Sequence, residues 1–218
     1  MEKKSDVTFT EIFAELKNTG ILMVTDKLLP SVVAMIVGEP IRGSWWGHPK
    51  SHDIFNINVR LAEHPDVIAI KLVSGKNTFV HRKLWSAVIA IGNSNEDWQL
   101  NKLKPLAISL LETVKKPGQV QTDSFGQFPG GDSKAITKVA AELENRLLIH
   151  AEEIHTDRGS HSRRLETWDN LAKRLDFSPK SMPVAEAKQS FEKILNDLNA
   201  RYNGHGELPW PKSSEYKL

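Results

Sequence analysis

The stretch Val67-Ile68-Ala69-Ile70-Lys71-Leu72-Val73-Ser74-Gly75-Lys76-Asn77-Thr78-Phe79-Val80-His81-Arg82 decides the fold. Its first seven residues are rich in β-branched side chains, which suit a pleated, half-buried surface and read as a strand. Ser74-Gly75-Lys76-Asn77 reads as a turn, and Thr78-Phe79-Val80-His81-Arg82 as the return strand. A β-hairpin is expected here, and what precedes it says what kind of domain it closes.

Three helices are expected upstream. In the first, Thr8-Phe9-Thr10-Glu11 matches a capping box, Phe9, Ile12, Phe13 and Leu16 form a stripe at helical spacing, and Gly20 is a stop. The second runs from about Leu29 to Val37, with Pro30 in its first turn and Gly38 and Pro40 ending it. The third spans roughly Ser51 to Glu63, with Ile54, Phe55, Ile57, Asn58 and Leu61 as its inner face. Helix, helix, helix, hairpin is the order of a winged helix, with the third helix as the recognition helix and the hairpin as the wing.

The plan then recurs. A connecting helix is expected from Leu84 to Ile91, with a break at Asn93-Ser94-Asn95. Leu103, Leu106, Ala107, Leu110, Leu111 and Val114 form the next helical stripe, which Lys115-Lys116-Pro117-Gly118 ends. Gln119–Phe128 reads as a short helix. A strong helix capped by Asp132 or Ser133 follows, with Ile136, Val139, Ala140 and Leu143 inward. Leu147–His155 could continue that helix or form a strand, and the strand is preferred because Asp157-Arg158-Gly159-Ser160 reads as a hairpin turn and His161–Trp168 as its return. A last helix is expected from Val184 to Tyr202, then a proline-rich extended tail. The expected fold class is α+β, mainly helical: two winged-helix-like modules of three helices plus a hairpin, residues 1–100 and 101–175. A C-terminal helix and tail occupy 176–218. The two halves share a plan but little sequence.

Composition fits this. The 218 residues are 39% hydrophobic, enough for a core, with 29 basic and 27 acidic side chains giving a net charge of +2. That balance excludes a histone-like or tail-type binder. No apolar run approaches the ~18 residues of a membrane span, and the first residues lack the apolar core of a signal peptide. With no cysteine there is no disulfide framework, thiolate metal site or cysteine nucleophile. A cytoplasmic protein with no membrane association is expected, and neither a cofactor nor a metal is expected.

Gly38-Glu39-Pro40-Ile41-Arg42-Gly43-Ser44-Trp45-Trp46-Gly47-His48-Pro49, with Val80-His81-Arg82-Lys83-Leu84-Trp85 after it, resembles a group of uncharacterised bacterial proteins. So do Ile154-His155-Thr156 and Leu165-Glu166-Thr167-Trp168, and the likeness covers most of residues 20–170. It implies no activity. In architecture the chain also resembles, distantly, the tandem winged-helix DNA glycosylases that unhook interstrand crosslinks. Their Gln-x-Gln motif has its letters here in Gln119-Val120-Gln121, a pattern short enough to arise by chance.

The tryptophan loop is the most unusual feature. As a recognition loop it would offer Trp45 and Trp46 to a base, Arg42 and Lys50 to phosphates and His48 as a donor. The competing reading packs one or both indoles under the third helix. Arg42 to Lys83 holds seven basic residues and three acidic ones, a local +4 that suits a nucleic-acid face. Lys76 at the wing tip, Lys134 and Lys138 on the second module's strong helix, and Arg158 and Arg163 on its hairpin are further phosphate candidates. The histidines and glutamates of that hairpin lack a dense metal-ligand spacing, and a cross-strand charge ladder accounts for them.

No constellation names a reaction, so catalytic residues stay unassigned. The leading expectation is a DNA-binding protein of tandem winged-helix type. The alternatives are a DNA-processing, glycosylase-like enzyme of DNA repair on the same scaffold, with Asp53 or Gln121 to position water, and a protein-interaction module. In the last, the C-terminal helix docks a partner or a second copy.

Overall fold

The computed structural model describes residues 2–41, 43–122, 132–155 and 161–211, excepting the side chains of 2–8, 155 and 161. The chain is α+β and mainly helical, with two three-stranded antiparallel sheets. It divides into two compact units. The first comprises Met1–Trp85 with Ala185–Pro209, and the second Ser86–Val184 with Trp210–Leu218.

The first unit runs α1 (Glu2–Thr19), β1 (Ile21–Met23), α2 (Val32–Val37), a 3-10 turn (Trp45–Gly47), α3 (Ser51–Ala62), β2 (Val67–Val73) and β3 (Lys76–His81). β3 lies between β1 and β2, paired antiparallel with both. Ile12 and Leu16 of α1, Val32, Val33 and Ile36 of α2, Ile54, Ile57 and Leu61 of α3, and Val67 and Phe79 of the sheet form one core. Each such side chain is worth ~1.5–3 kcal/mol of burial, which holds elements too short to be stable alone.

Several local expectations change. α1 begins at Glu2, so Thr8 lies inside it rather than capping it. Ser31, not Pro30, opens α2: its hydroxyl accepts from Ala34 N at 3.2 Å, and Gly38 closes the helix. The hairpin turn is two residues, Ser74 and Gly75, both at positive φ (50° and 67°), the geometry that matches strand twist. Lys76 and Asn77 are therefore strand residues, not turn residues. Phe55 is not on the inner face of α3. At about 100° per residue it falls to one side of the Ile54, Ile57, Leu61 stripe, and it is exposed.

The second unit contains α4 from Ser86 onward (the helix is Trp85–Gly92), α5 (Asp97–Leu100), α6 (Pro105–Lys115), β4 (Gln119–Gln121), α7 (Ser133–Asn145), β5 (His150–His155), β6 (His161–Glu166) and α8 (Trp168–Arg174). Its sheet again places the third strand in the middle, in the order β4-β6-β5. Gln119–Gln121 is thus an edge strand where a short helix was expected. It pairs with Glu166, Leu165 and Arg164, partners more than 40 residues away that local propensity does not register. The turn expected at Asp157–Ser160 lies outside the described residues. Ala107, Leu110, Leu111 and Val114 of α6, with Ile136, Val139, Ala140 and Leu143 of α7, build the core against Ile149, Ala151 and Leu165.

The inward stripes of α3 and α7 have the same spacing. A shift of 82 residues carries Ile54, Ile57, Asn58 and Leu61 of α3 onto Ile136, Val139, Ala140 and Leu143 of α7. In each unit a tryptophan follows the third strand and opens a helix. Trp85 and Trp168 are both fully buried, and each indole N–H donates to a backbone carbonyl, Val80 O at 3.1 Å and Leu147 O at 2.7 Å.

The last helix, α9 (Val184–Tyr202), buries Ala187, Phe191, Leu195 and Leu198. Tyr202, at the end of the helix, is exposed. The residues after the helix are held by hydrogen bonds. The Asn199 amide donates to Gly206 O and accepts from Gly206 N, at 2.9 and 2.8 Å, while Ser74 N donates to Glu207 O at 2.7 Å. No helix among the described residues is long and apolar enough to cross a membrane.

Candidate nucleic-acid interface

The tryptophan loop forms the 3-10 turn before α3. Ser44 opens it, its hydroxyl accepting from Trp46 N at 3.4 Å. In this short turn the two adjacent indoles take different positions. Trp45 takes the inward position, half-buried against the first unit's core. Trp46 stacks on it, ring centroids 4.2 Å apart and planes 22° from parallel, and remains 64% exposed. Phe55 stands 6.0 Å from Trp46 and is 43% exposed. One indole is thus packed and the other exposed. Phe55 was missed because it was counted inward.

His48 Nδ1 accepts from Lys50 N at 3.1 Å. The contact occupies Nδ1 and leaves Nε2 as the second polar atom of the ring. Arg42 lies outside the described residues.

Three lysines of the first unit are engaged by its own backbone and carboxylates. Lys50 Nζ donates to Ile36 O at 2.6 Å, in the last turn of α2, where an ammonium meets the negative end of the helix. Lys83 Nζ does the same for α1 through Lys17 O and Asn18 O, at 2.7 and 2.8 Å, and burial lowers its pKa. Lys76 Nζ lies 2.5 Å from Asp26 Oδ2. Burial raises the Asp26 pKa, but hydrogen bonds from Lys76 and from the Leu28 and Leu29 amides outweigh it and hold the carboxyl below its ordinary range. The local +4 is thus partly consumed inside the fold.

The second unit is arranged differently. Lys134 and Lys138 are exposed on α7 and form no ion pair among the described residues. Asp132 caps that helix, accepting from Ala135 N at 2.7 Å. Arg163 is turned inward to Glu144, at 2.8 Å, so it serves the fold rather than the surface. Arg158 lies outside the described residues.

Beneath the sheet is a charge network that sequence reasoning did not assemble. Glu166 is fully buried. It meets His150 Nδ1 at 3.2 Å, Arg174 through bonds of 2.7 and 3.2 Å, and Asn170 Nδ2 at 3.0 Å. Burial raises its pKa, but the His150 and Arg174 bonds prevail and bring it down to about 2. Arg174 also reaches Glu152 at 2.9 Å, and Glu152 pairs across the hairpin with Arg164 at 3.3 Å. The only signal in the sequence was the mixture of charge signs on β5 and β6, because Arg174 joins from a helix that had not been anticipated. Among the described residues no group of histidine, aspartate and glutamate side chains could hold a metal. Gln119 and Gln121 are exposed on β4, and Gln119 Oε1 accepts from Asn170 Nδ2 at 3.2 Å.

Fold and site together define an α+β chain with two similarly ordered units, one presenting aromatic rings and the other lysines. Comparison with family models, curated proteins and solved structures finds no match.

Proposed function

We propose that each unit is a winged-helix module and that the protein binds DNA as a tandem pair, with α3 and α7 in the recognition-helix position. The observation that carries this reading is that in each unit a helix and a strand precede a helix (α3 or α7) that leads into two strands, α2 being additional in the first unit, with the last strand central in both sheets. A helix before a hairpin, its outer face clear of its own core, is the geometry by which winged helices approach the major groove. Lys134 and Lys138 are the phosphate contacts this reading selects. They lie one turn apart on the face of α7 opposite Ile136, Val139 and Leu143. Lys50, Lys76 and Arg163 have structural partners and take a lesser part.

The test is fluorescence anisotropy of the full chain with a labelled duplex at ~50 and ~200 mM salt, a range over which phosphate-dominated binding weakens steeply. Binding that falls with salt supports the reading. Absence of binding at the lower salt overturns it.

A further inference from the structure

We propose that the first unit carries a stacking platform for an unpaired nucleobase, built from Trp46 and Phe55 and edged by His48, His52 and Asn56. The proposal rests on the DNA-binding reading above and names the DNA structure that reading leaves open.

Trp46 is mounted rather than merely exposed. Trp45 is held against the core and Trp46 is stacked on Trp45, so one face of the outer indole is backed by a ring. With 64% of the residue still exposed, the other side is open. A ring held this way loses little freedom when it takes a ligand, which favours binding. Gly43 and Gly47 bracket the pair, and no atom lies within 4 Å of where a side chain would begin at either. The backbone on either side of the pair is therefore uncrowded.

The surroundings select the occupant. On the turn and α3, Trp46 and Phe55 are the exposed large apolar residues, and the nearest exposed aliphatic residue in sequence, Met35, stands on a different helix, α2. A docked amphipathic helix needs a stripe of anchors over several turns, whereas a base needs one ring face. His52 and Asn56 are exposed on the same side of α3 as Phe55, one turn apart. An asparagine amide both donates and accepts, as the edge of a base requires. The corresponding positions of α7, shifted by 82 residues, are Lys134, Thr137 and Lys138. The two helices thus share positions but divide the chemistry, rings and base-edge groups on one, phosphate contacts on the other. Paired bases are stacked on both sides and cannot offer a face to Trp46, so the ligand is a base freed from its stack, at a bulge, a junction or a single strand.

Two labelled duplexes test this on the full chain, one fully paired and one carrying a single-base bulge, with Trp46→Ala, Trp46→Phe and Phe55→Ala variants. Wild type is expected to prefer the bulged duplex by roughly ten-fold, and Trp46→Ala to lose that preference while holding the fully paired duplex within roughly two-fold of wild type. Trp46→Phe should keep part of the preference. A Lys134→Glu/Lys138→Glu variant should weaken both duplexes together. An unchanged ratio in Trp46→Ala, with the paired duplex still bound, overturns the platform and leaves the DNA reading standing. No binding to either duplex overturns both. Self-association of wild type that disappears in Trp46→Ala, read by sedimentation, assigns the face to a second copy and overturns the proposal. A thermal melt of Trp46→Ala checks that Trp45 alone holds the turn.

Discussion

The two units share a helix leading into a hairpin whose last strand is central in a three-stranded sheet, and they treat charge in opposite ways. In the first, cations end helices: Lys50 on α2, Lys83 on α1, with Lys76 tied to a loop carboxylate. These bonds lie near the surface, and the outer face of the third helix is left to Phe55, His52 and Asn56. In the second, charge goes inside. Glu166 and His150 are buried together with Arg174 at their edge, and the outer face of α7 keeps its lysines free of ion pairs among the described residues. A similar strand order therefore does not imply a similar surface, because the exposed residues are ones that the core does not constrain.

The sharpest way to break this comparison is at Glu166. Replacing it with Gln leaves Arg174 and His150 without their buried anion, and a loss of roughly 3–5 kcal/mol is expected in urea unfolding. Its folded pKa lies near 2, below the ordinary 4.5, so its stabilising charge is present above about 4.5 and is lost as pH falls toward 2. Stability of wild type should fall through that window, and Glu166→Gln should flatten the fall. Gly92 comes next. A Cβ there would run into the buried Trp168 indole, and Gly92→Ala should cost about 1–3 kcal/mol by overpacking. In the first unit, Lys50→Met removes the bond to Ile36 O, for roughly 1 kcal/mol. Lys76→Met should cost least, roughly 0.5 kcal/mol, because the pair is partly solvated and Asp26 keeps its two backbone donors. A Lys76 variant as damaging as Glu166→Gln would contradict the contrast.

Much of this fold was legible in local sequence. β2 was readable from its β-branched run and α9 from its stripe, and both have the expected bounds. β1 was not. Three residues, Ile21-Leu22-Met23, carry too little alternation, and only pairing with Val80, Phe79 and Thr78 makes them a strand. β4 failed for the same reason, and α8 because its Thr167 cap was absorbed into an overlong strand. At the candidate site, composition showed a basic stretch but not where its side chains would be bound. Lys50 meets a carbonyl 14 residues away and Lys76 a carboxylate 50 away. The aromatic pair was visible as letters, but which ring would face out was not.

The most direct test of the account compares charge removal in the two units on one labelled duplex across a salt series. Lys134→Met/Lys138→Met is expected to lower affinity and to reduce the slope of log affinity against log salt by roughly two, the signature of two lost phosphate contacts, whereas Lys50→Met/Lys76→Met should leave that slope near wild type. Equal slopes for wild type and the α7 variant, or a larger change in the first-unit variant, would contradict it.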